Sequence, residues 1–279
     1  MIDLHIHSTA SDGSLSPREV VRAAHAAGLA AAALTDHDTL AGIPEALSEA
    51  SLCGLTLVPG IEMSCVHSRT EIHILGYFAD AGDAGLEEEL SAFRELRNER
   101  NETILDNLAE DGIFISREDL AGATPDSVIT RAHFARALVE KGAVRTEEDA
   151  FRYYLSYGGR YVPYMDSLSP ERVMACFREH NVWPCLAHPM KYGLTDRELF
   201  EMVAELCDLG LRGLEVWHPS QTLADTARLQ TLARTSRLIA TGGSDFHGDR
   251  SPGVSIGTGR GRLMVSDRVL DMMRRDAGL

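Results

Sequence analysis

The chain has 279 residues, 44% hydrophobic and 25% charged, the balance of a globular protein with room for one large α/β domain or two small ones. Its formal net charge is −15, from 42 acidic and 27 basic residues, and no Lys/Arg cluster forms the basic stripe that long nucleic acid demands. Five cysteines, odd in number and without a CxxC pair, argue against a disulfide framework and for a reducing cytosol.

Taken in chain order, residues 1–6 alternate apolar and polar side chains and predict a strand. The start "MIDLHIHSTASDG" turns polar too soon for a signal peptide, and no apolar run is long enough to span a membrane. In "SPREVVRAAHAAG", Ser16 is a good N-cap, Pro17 suits the first helical position and Glu19 completes a capping box, with Gly28 as the stop. "LAAAALTDHD" predicts a buried strand with a polar end, and "LAGIPEALSEASLCG" a helix closed by Gly54. "LTLVPGIEMSC" and "TEIHILGYF" predict a third and a fourth strand. Helices between strands imply right-handed crossovers and a largely parallel sheet.

Near residue 85 the pattern changes. "LEEELSAFRELRNERNETILDNLAEDG" is a long charged helix with Leu86, Leu90, Phe93, Leu96, Ile104 and Leu108 roughly on one face. "ISREDLAGA", "ITRAHFARALVEKG" and "TEEDAFRYYLSYGG" predict shorter helices. Residues 86–160 therefore read as a helical insertion contributing to the substrate pocket, set into a unit made of residues 1–85 and 161–279. Alternation resumes after "YVPYMDSLSP": helix "PERVMACFREHN", strand "VWPCLAHP", helix "DRELFEMVAELCDLG", strand "LRGLEVWHP", helix "TLADTARLQTLARTS", strand "RLIATGGSDFHG" and a last helix "SDRVLDMMRRDAG". Seven or eight strands, mostly followed by helices, predict an α/β barrel with its chemistry at the C-terminal strand ends.

Acids and histidines collect at those ends. His5 and His7 end the first strand, Asp12 follows in its loop, and Asp36 and His37 end the second. Glu62 ends the third, His73 lies in the fourth, and His188, His218, Asp245 and His247 end the last three. "HIH" alone reads most simply as a solvated strand face; one shared rim changes that reading. His5 and His7 are two apart and share a face, as do Asp245 and His247. Asp245 from a neighbouring strand can complete a coordination sphere, and the two oxygens of Glu62 can bridge ions. Histidine and carboxylate without thiolate suit Mn²⁺, Fe²⁺ or Zn²⁺, two or three of them. Two such ions would bring the net charge from −15 to −11, and three to −9. Paired metals lower the pKa of a bound water, and the resulting hydroxide attacks phosphorus without a protein nucleophile. "GxSxG", "GxxxxGK[ST]" and a helix-opening "GxGxxG" are absent.

These motifs resemble the PHP (polymerase and histidinol phosphatase) metallophosphoesterases. "DLHIHSTASDG", "ALTDHDT", "PGIEMS", "EIHILGY", "LAHP" and "GSDFH" are similar to that family's motifs, in family order, across residues 1–80 and 160–250. The resemblance implies a distorted (β/α)₇ barrel. It implies as ligands His5, His7, Asp12, His37, Glu62, His73, His188, Asp245 and His247. His5, His7, Glu62 and Asp245 would form one site, Glu62, His73 and His188 a second, and Asp12, His37 and His247 a third. Manganese is the first expectation, with iron or zinc as alternatives. Length and insertion resemble the TrpH/YciV-like branch. That implies removal of the 3′-phosphate from nucleoside 3′,5′-bisphosphates, with 5′→3′ exonucleolytic trimming of short RNA as the near alternative. Histidinol phosphatase is the alternative of different substrate class, and a noncatalytic metal-holding module the alternative of different function.

A second phosphate needs cations away from the metals. Arg69, Arg131, His133, Lys191 and Ser244 are assigned to substrate; Arg160 is a further candidate, and Arg136 reads as a solvated helix face. His218 is assigned to the catalytic set as proton donor to the leaving oxygen, and Asp36 as a partner orienting His37. Tyr153, Tyr154, Tyr157 and Tyr161 read as core packing, one of them a candidate to stack on a base. His25 and His180 read as structural, and His67 as exposed. The expected partner is a small nucleotide or short oligonucleotide, in the cytoplasm, with no membrane and no obligate protein partner.

Overall fold

The computed structural model describes residues 1–122, 124, 126–164 and 168–279. Positions 123 and 125 of the expected insertion, and 165–167 within "YVPYMDSLSP", lie outside the described residues. In chain order the elements are β1 (Ile2–Asp3), α1 (Pro17–Ala26), β2 (Ala31–Leu34), α2 (Ile43–Cys53), β3 (Thr56–His67) and β4 (Thr70–Tyr77). α3 (Ala84–Glu110), α4 (Arg131–Glu140), α5 (Glu147–Tyr153) and α6 (Pro170–Glu179) follow. The chain then runs through β5 (Trp183–Leu186), α7 (Asp196–Asp208), β6 (Gly213–Trp217), α8 (Leu223–Thr235), β7 (Ile239–Gly242) and α9 (Arg268–Ala277).

Among the described residues the seven strands form one sheet in sequence order. Its edges meet: Leu4 N–H donates to Gly242 O at 3.3 Å, His7 N–H to Phe246 O at 2.9 Å, and Asp245 N–H to His5 O at 2.8 Å. The result is a nearly closed seven-stranded barrel, the expected fold class. Gly243 makes the seam possible, since a Cβ there would lie 2.4 Å from His5 N. All pairings are parallel except those of β4, which runs against both β3 and β5. β4 reverses because the chain returns through a two-residue hairpin turn, Ser68 and Arg69 both at positive φ, not through a helix.

Inside and outside of the barrel have separate cores. Ile2, Leu4, Val58, Leu75, Tyr77 and Trp183 fill the interior; Ile6, Leu34, Ile61, Ile74 and Leu214 pack under the outer helices. Ile2 and Leu4 thus face inward while Ile6 faces outward. Strict alternation over residues 1–6 would have put the histidines on the face opposite Leu4. The regular strand instead ends at Asp3, whose Oδ1 accepts His5 N–H at 3.3 Å, and the change of parity turns His5 and His7 inward above Leu4.

The first half of α3 packs Leu86, Leu90 and Phe93 on the outer core; Ile104 and Leu108 join Phe134, Leu138, Ala150, Leu155 and Val162 in a third cluster. The described part of "ISREDLAGA", residues 115–122, holds a turn, not a helix. Ser116 and Asp119 make the reciprocal bonds of a capping box, Ser116 N–H to Asp119 Oδ2 at 2.8 Å and Asp119 N–H to Ser116 Oγ at 3.2 Å. Gly122 follows too soon for that nucleus to propagate. All five cysteines are free. No helix among the described residues is long and apolar enough to cross a membrane.

Candidate metal centre

The cage is built from strand ends upward. His5 Nε2 lies 3.1 Å from His7 Nε2, 3.4 Å from Glu62 Oε2 and 3.4 Å from Asp245 Oδ1. His7 Nε2 lies 3.2 Å from Glu62 Oε2 and 3.4 Å from Asp245 Oδ1. Ligands about 2.0–2.1 Å from a tetrahedral ion are separated by roughly 3.3–3.4 Å, so His5, His7 and Asp245 have the spacing of ligands to one ion, and Glu62 Oε2 lies at that spacing from both rings. Asp245 reaches it from a left-handed backbone, φ 51°, and His188 leaves β5 at φ 24°. Asp and His tolerate positive φ better than most side chains, and these turns aim both groups off their strands. Glu215 fixes His5 from behind: His5 Nδ1 lies 3.0 Å from Glu215 Oε1, and Glu215 Oε2 accepts His188 N–H at 2.7 Å. With its Nδ1 proton on Glu215, His5 presents a bare Nε2 to the cage.

The other oxygen of Glu62 serves a second group. Oε1 is 2.9 Å from His73 Nδ1 and 2.9 Å from His188 Nε2. His73 reaches the rim from the first half of β4 because that strand is reversed, so the C-terminal-end rule fails for this residue. Asp12 centres a third group, with Oδ1 at 3.2 Å from His247 Nε2 and 3.7 Å from His7 Nδ1, and Oδ2 at 3.6 Å from His37 Nε2. His7 therefore joins the third group as well as the first. Asp36 accepts Ser8 N–H at 2.7 Å, Ser8 Oγ–H at 2.6 Å and Ser11 Oγ–H at 2.6 Å. It thus shapes the Asp12 loop rather than orienting the His37 ring.

The electrostatics call for cations. Asp12, Glu62 and Asp245 are buried, which raises their pKa values, yet surrounding imidazoles and Lys191 hold all three well below the usual carboxylate range. Burial depresses His7 most strongly, but bonds to Asp245 and Glu62 and the charges of Glu62 and Asp12 push it up to about 10. His5 is raised likewise against burial, by Glu62, Glu215 and Asp245. Burial and then Lys191 push His188 down to about 3. The buried ring nitrogens His7 Nδ1 and His37 Nδ1 make no hydrogen bond. Buried carboxylates facing ring nitrogens without hydrogen-bond partners fit divalent ions, which would take the place of the protons that now hold His5 and His7 in charge balance.

Above the cage lies a cavity of about 410 Å³, closed on its far wall by Thr130, Arg131, Ala132 and Phe151. Lys191 lines it, with Nζ 2.5 Å from Asp245 Oδ2. Arg131 lines it too, but its guanidinium is committed to Glu71 and, at 3.0 Å, to Leu155 O. Three further assignments fall elsewhere. His133 is wholly buried, its Nδ1 accepting Thr130 N–H at 3.1 Å, and burial pushes it down to about 4. Ser244 lies behind the cage, donating its N–H to Asp3 Oδ1 at 2.8 Å. Arg69 sits at the hairpin tip, about 17 Å of strand beyond Glu62, with its guanidinium 5.4 Å from the Tyr164 ring centroid.

Of the remaining residues, His218 Nε2 is 3.2 Å from Asp245 Oδ2 and its Nδ1 2.7 Å from Ser220 Oγ. Arg160 pairs with Asp111, and Arg136 is held near Glu140. Tyr153 is exposed, while Tyr154, Tyr157 and Tyr161 pack on the insertion core. His25 is exposed; His67 is half-buried on Glu205 and His180 on Asp83, each at 2.7 Å. Sequence reasoning missed Glu215, Thr130, Phe151, Glu71 and Arg97. Glu215 alone left a signal, a lone acid inside the apolar strand "GLEVW".

Known proteins resemble this chain over most of its length. The PHP domain family model matches residues 3–152. The 5′-3′ exoribonuclease Rnm of Salmonella typhimurium is 37% identical over 248 residues, covering 88% of this chain and 84% of that protein. The 3′,5′-nucleoside bisphosphate phosphatase of Chromobacterium violaceum is 33% identical over 257 residues, covering 92% and 90%. The crystal structure of a protein described as a metal-dependent phosphoesterase from Bifidobacterium adolescentis superposes with a TM-score of 0.84 at 30% identity, covering 98% of this chain and 95% of that one.

Proposed function

We propose that this chain, which belongs to the PHP domain family and is a metal-dependent phosphoesterase, removes the 3′-phosphate of nucleoside 3′,5′-bisphosphates. The products are a nucleoside 5′-monophosphate and phosphate. The observation that carries this reading is the cavity: the carboxylate–imidazole cage as floor and one aromatic ring, Phe151, on the opposite wall. About 410 Å³ lies toward the small end of ligand sites, roughly 300–1,000 Å³. That suits a mononucleotide better than a long strand.

In this reading His5, His7, Asp12, His37, Glu62, His73, His188, Asp245 and His247 would hold two or three divalent ions, manganese first, with iron or zinc as alternatives that the donors equally suit. Such ions, when bound, would supply an acidified water and neutralise charge on the phosphoryl oxygens. Lys191, on the cavity wall 2.5 Å from Asp245, would offer its ammonium to a substrate phosphate. His218, fixed between Ser220 and Asp245, delivers the proton to the leaving 3′-oxygen. Phe151, 37% exposed and facing the cavity, stacks on the base. Arg131, its centre 5.8 Å from the Phe151 ring, supports that ring. The five free cysteines support work in a reducing cytoplasm.

A second reading, 5′→3′ exonucleolysis of short RNA, is favoured by the likeness to Rnm and uses the same cage. Phosphate or nucleotide release should be measured for the manganese-loaded protein on nucleoside bisphosphates, short 5′-phosphorylated RNA and histidinol phosphate. The expected outcome is the highest kcat/KM on the bisphosphates. Preference for RNA selects the second reading, and preference for histidinol phosphate by orders of magnitude overturns both.

A further inference from the structure

Asp12 differs from the other cage carboxylates in what holds it. Glu62 lies within β3, and Asp245 is tied by its N–H to His5 O on β1. Asp12 lies on the long loop between β1 and α1, and its Oδ2 accepts a hydrogen bond at 2.8 Å from Thr130 Oγ. Thr130 comes from the helical segment, where it caps α4. Its hydroxyl oxygen accepts Ala132 N–H at 3.2 Å; His133 Nδ1 lies 3.3 Å from that hydroxyl, but its lone pair already accepts Thr130 N–H, which leaves the hydroxyl proton for Asp12. The surrounding contacts make the junction rigid. Ser127 Oγ donates to Thr9 O at 2.5 Å, Val128 N–H donates to Ala10 O at 3.0 Å, and Asn101 of α3 donates to Ile129 O at 3.0 Å. Thr130 and Ser127 are both buried. The hydrogen-bonding partners of Glu62 and Asp245 are barrel residues.

We infer that Thr130 is a positioning residue for Asp12, and that docking of the helical segment onto the Asp12 loop governs loading of the third ion, among His7, Asp12, His37 and His247, while the ions held without Asp12 keep their affinity. This rests on the reading of Asp12 as a metal ligand. A hydrogen bond to a ligating carboxylate fixes its rotamer, and losing such an outer partner typically lowers metal affinity by about 10–100-fold.

The test is equilibrium dialysis of the full chain against Mn²⁺, with bound metal counted by elemental analysis. Thr130→Val should weaken one ion by about 10–100-fold and leave the others at wild-type affinity; Thr130→Ser, which keeps the donor, should restore it. Thr130→Gly removes the hydroxyl from a position where glycine caps tolerably, and should match Thr130→Val even if the valine variant folds poorly. Asp12→Ala should lose the same ion outright. If Asp12→Ala retains the full complement, the ligand reading itself has failed. If Asp12→Ala loses an ion while Thr130→Val and Thr130→Gly bind as wild type, or weaken all ions alike, the inference about Thr130 is overturned and the ligand reading stands.

Discussion

The two walls of the cavity bury charge by different means. On the barrel side, the ligand-type residues are fixed by strand backbone. The segments just past β1 and β7 exchange hydrogen bonds on either side of His5, and the break in alternation after Asp3 turns His5 and His7 inward. On the helical side, charge is fixed by other side chains. Arg97 of α3 pairs with Asp38 and donates to Ser64 Oγ at 2.9 Å. Arg100 donates to Glu71 Oε1 at 3.1 Å, and Arg131 of α4 binds the other oxygen of Glu71. Burial pushes Arg100 down to about 9 and Arg131 to about 10, which still leaves both charged at neutral pH. A backbone-fixed rim can hold several donors to the spacing of a coordination sphere. A ladder of buried ion pairs costs desolvation and gives register instead. The barrel is therefore the seat of the chemistry, and the ladder sets where the opposite wall stands.

Mutations should separate the two walls by which quantity they move. The largest effect is expected at the rim. Asp245→Ala or His7→Ala should lower kcat by on the order of 10³-fold or more, since each removes part of the charge-stabilising clamp. Circular dichroism should remain native, because neither side chain belongs to the inner apolar core. Retention of a tenth of the activity would mean that the cage is not the catalytic centre. The ladder should show in stability instead. Arg97→Met leaves the buried Asp38 carboxylate unpaired and should cost about 3–5 kcal/mol in urea unfolding. The double variant with Asp38→Asn should recover much of that loss. If the single variant unfolds like the wild type, the ladder is not what fixes the helical wall.

A smaller effect is expected one layer behind the rim. Glu215→Gln keeps the shape but loses the carboxylate that orients His5 and receives His188 N–H. Manganese affinity should fall by about 10–100-fold, read by chelator competition, while the apparent thermal midpoint of the metal-loaded protein drops with it. An unchanged affinity would show that strand backbone alone orients the ligands.

The same contrast explains what could be read before the structure. Metal-ligand types recurring at strand ends were legible because strand position and side-chain direction follow from local pattern. Glu62, within β3, points to the rim for that reason. The inward turn of His5 and His7 was not legible, because it depends on a change of parity at Leu4 that alternation alone would deny. Nor was the reversal of β4, which hangs on two residues, Ser68 and Arg69, adopting positive φ; it also carried Arg69 away from the cavity. The helical wall was the least legible part. Arg97 and Arg100 look like the polar face of a charged helix, and only long-range pairing with Asp38 and Glu71 buries them. Arg131 stands on the cavity wall, but a partner 60 positions earlier already takes its charge.

The smallest expected effect is the one that best separates the walls. Among the aromatic residues, the tyrosines near the end of the helical segment attracted the base-stacking reading, yet Phe151 is the aromatic that the helical segment places on the cavity wall, with Tyr192 beside His188 on the barrel side. A base stacked on an aromatic ring is worth about 1–3 kcal/mol by alanine substitution. Phe151→Ala should therefore raise KM for a nucleoside bisphosphate on the order of tenfold and leave kcat nearly unchanged. It should leave the hydrolysis of glycerol phosphate, which has no base, untouched. Phe151→Trp should retain nucleotide affinity. A matching loss on both substrates would mean that the ring only fills the wall. A loss of kcat rather than KM would mean that the helical wall acts on the chemistry itself, and the division of labour between strand-fixed and side-chain-fixed charge would have to be abandoned.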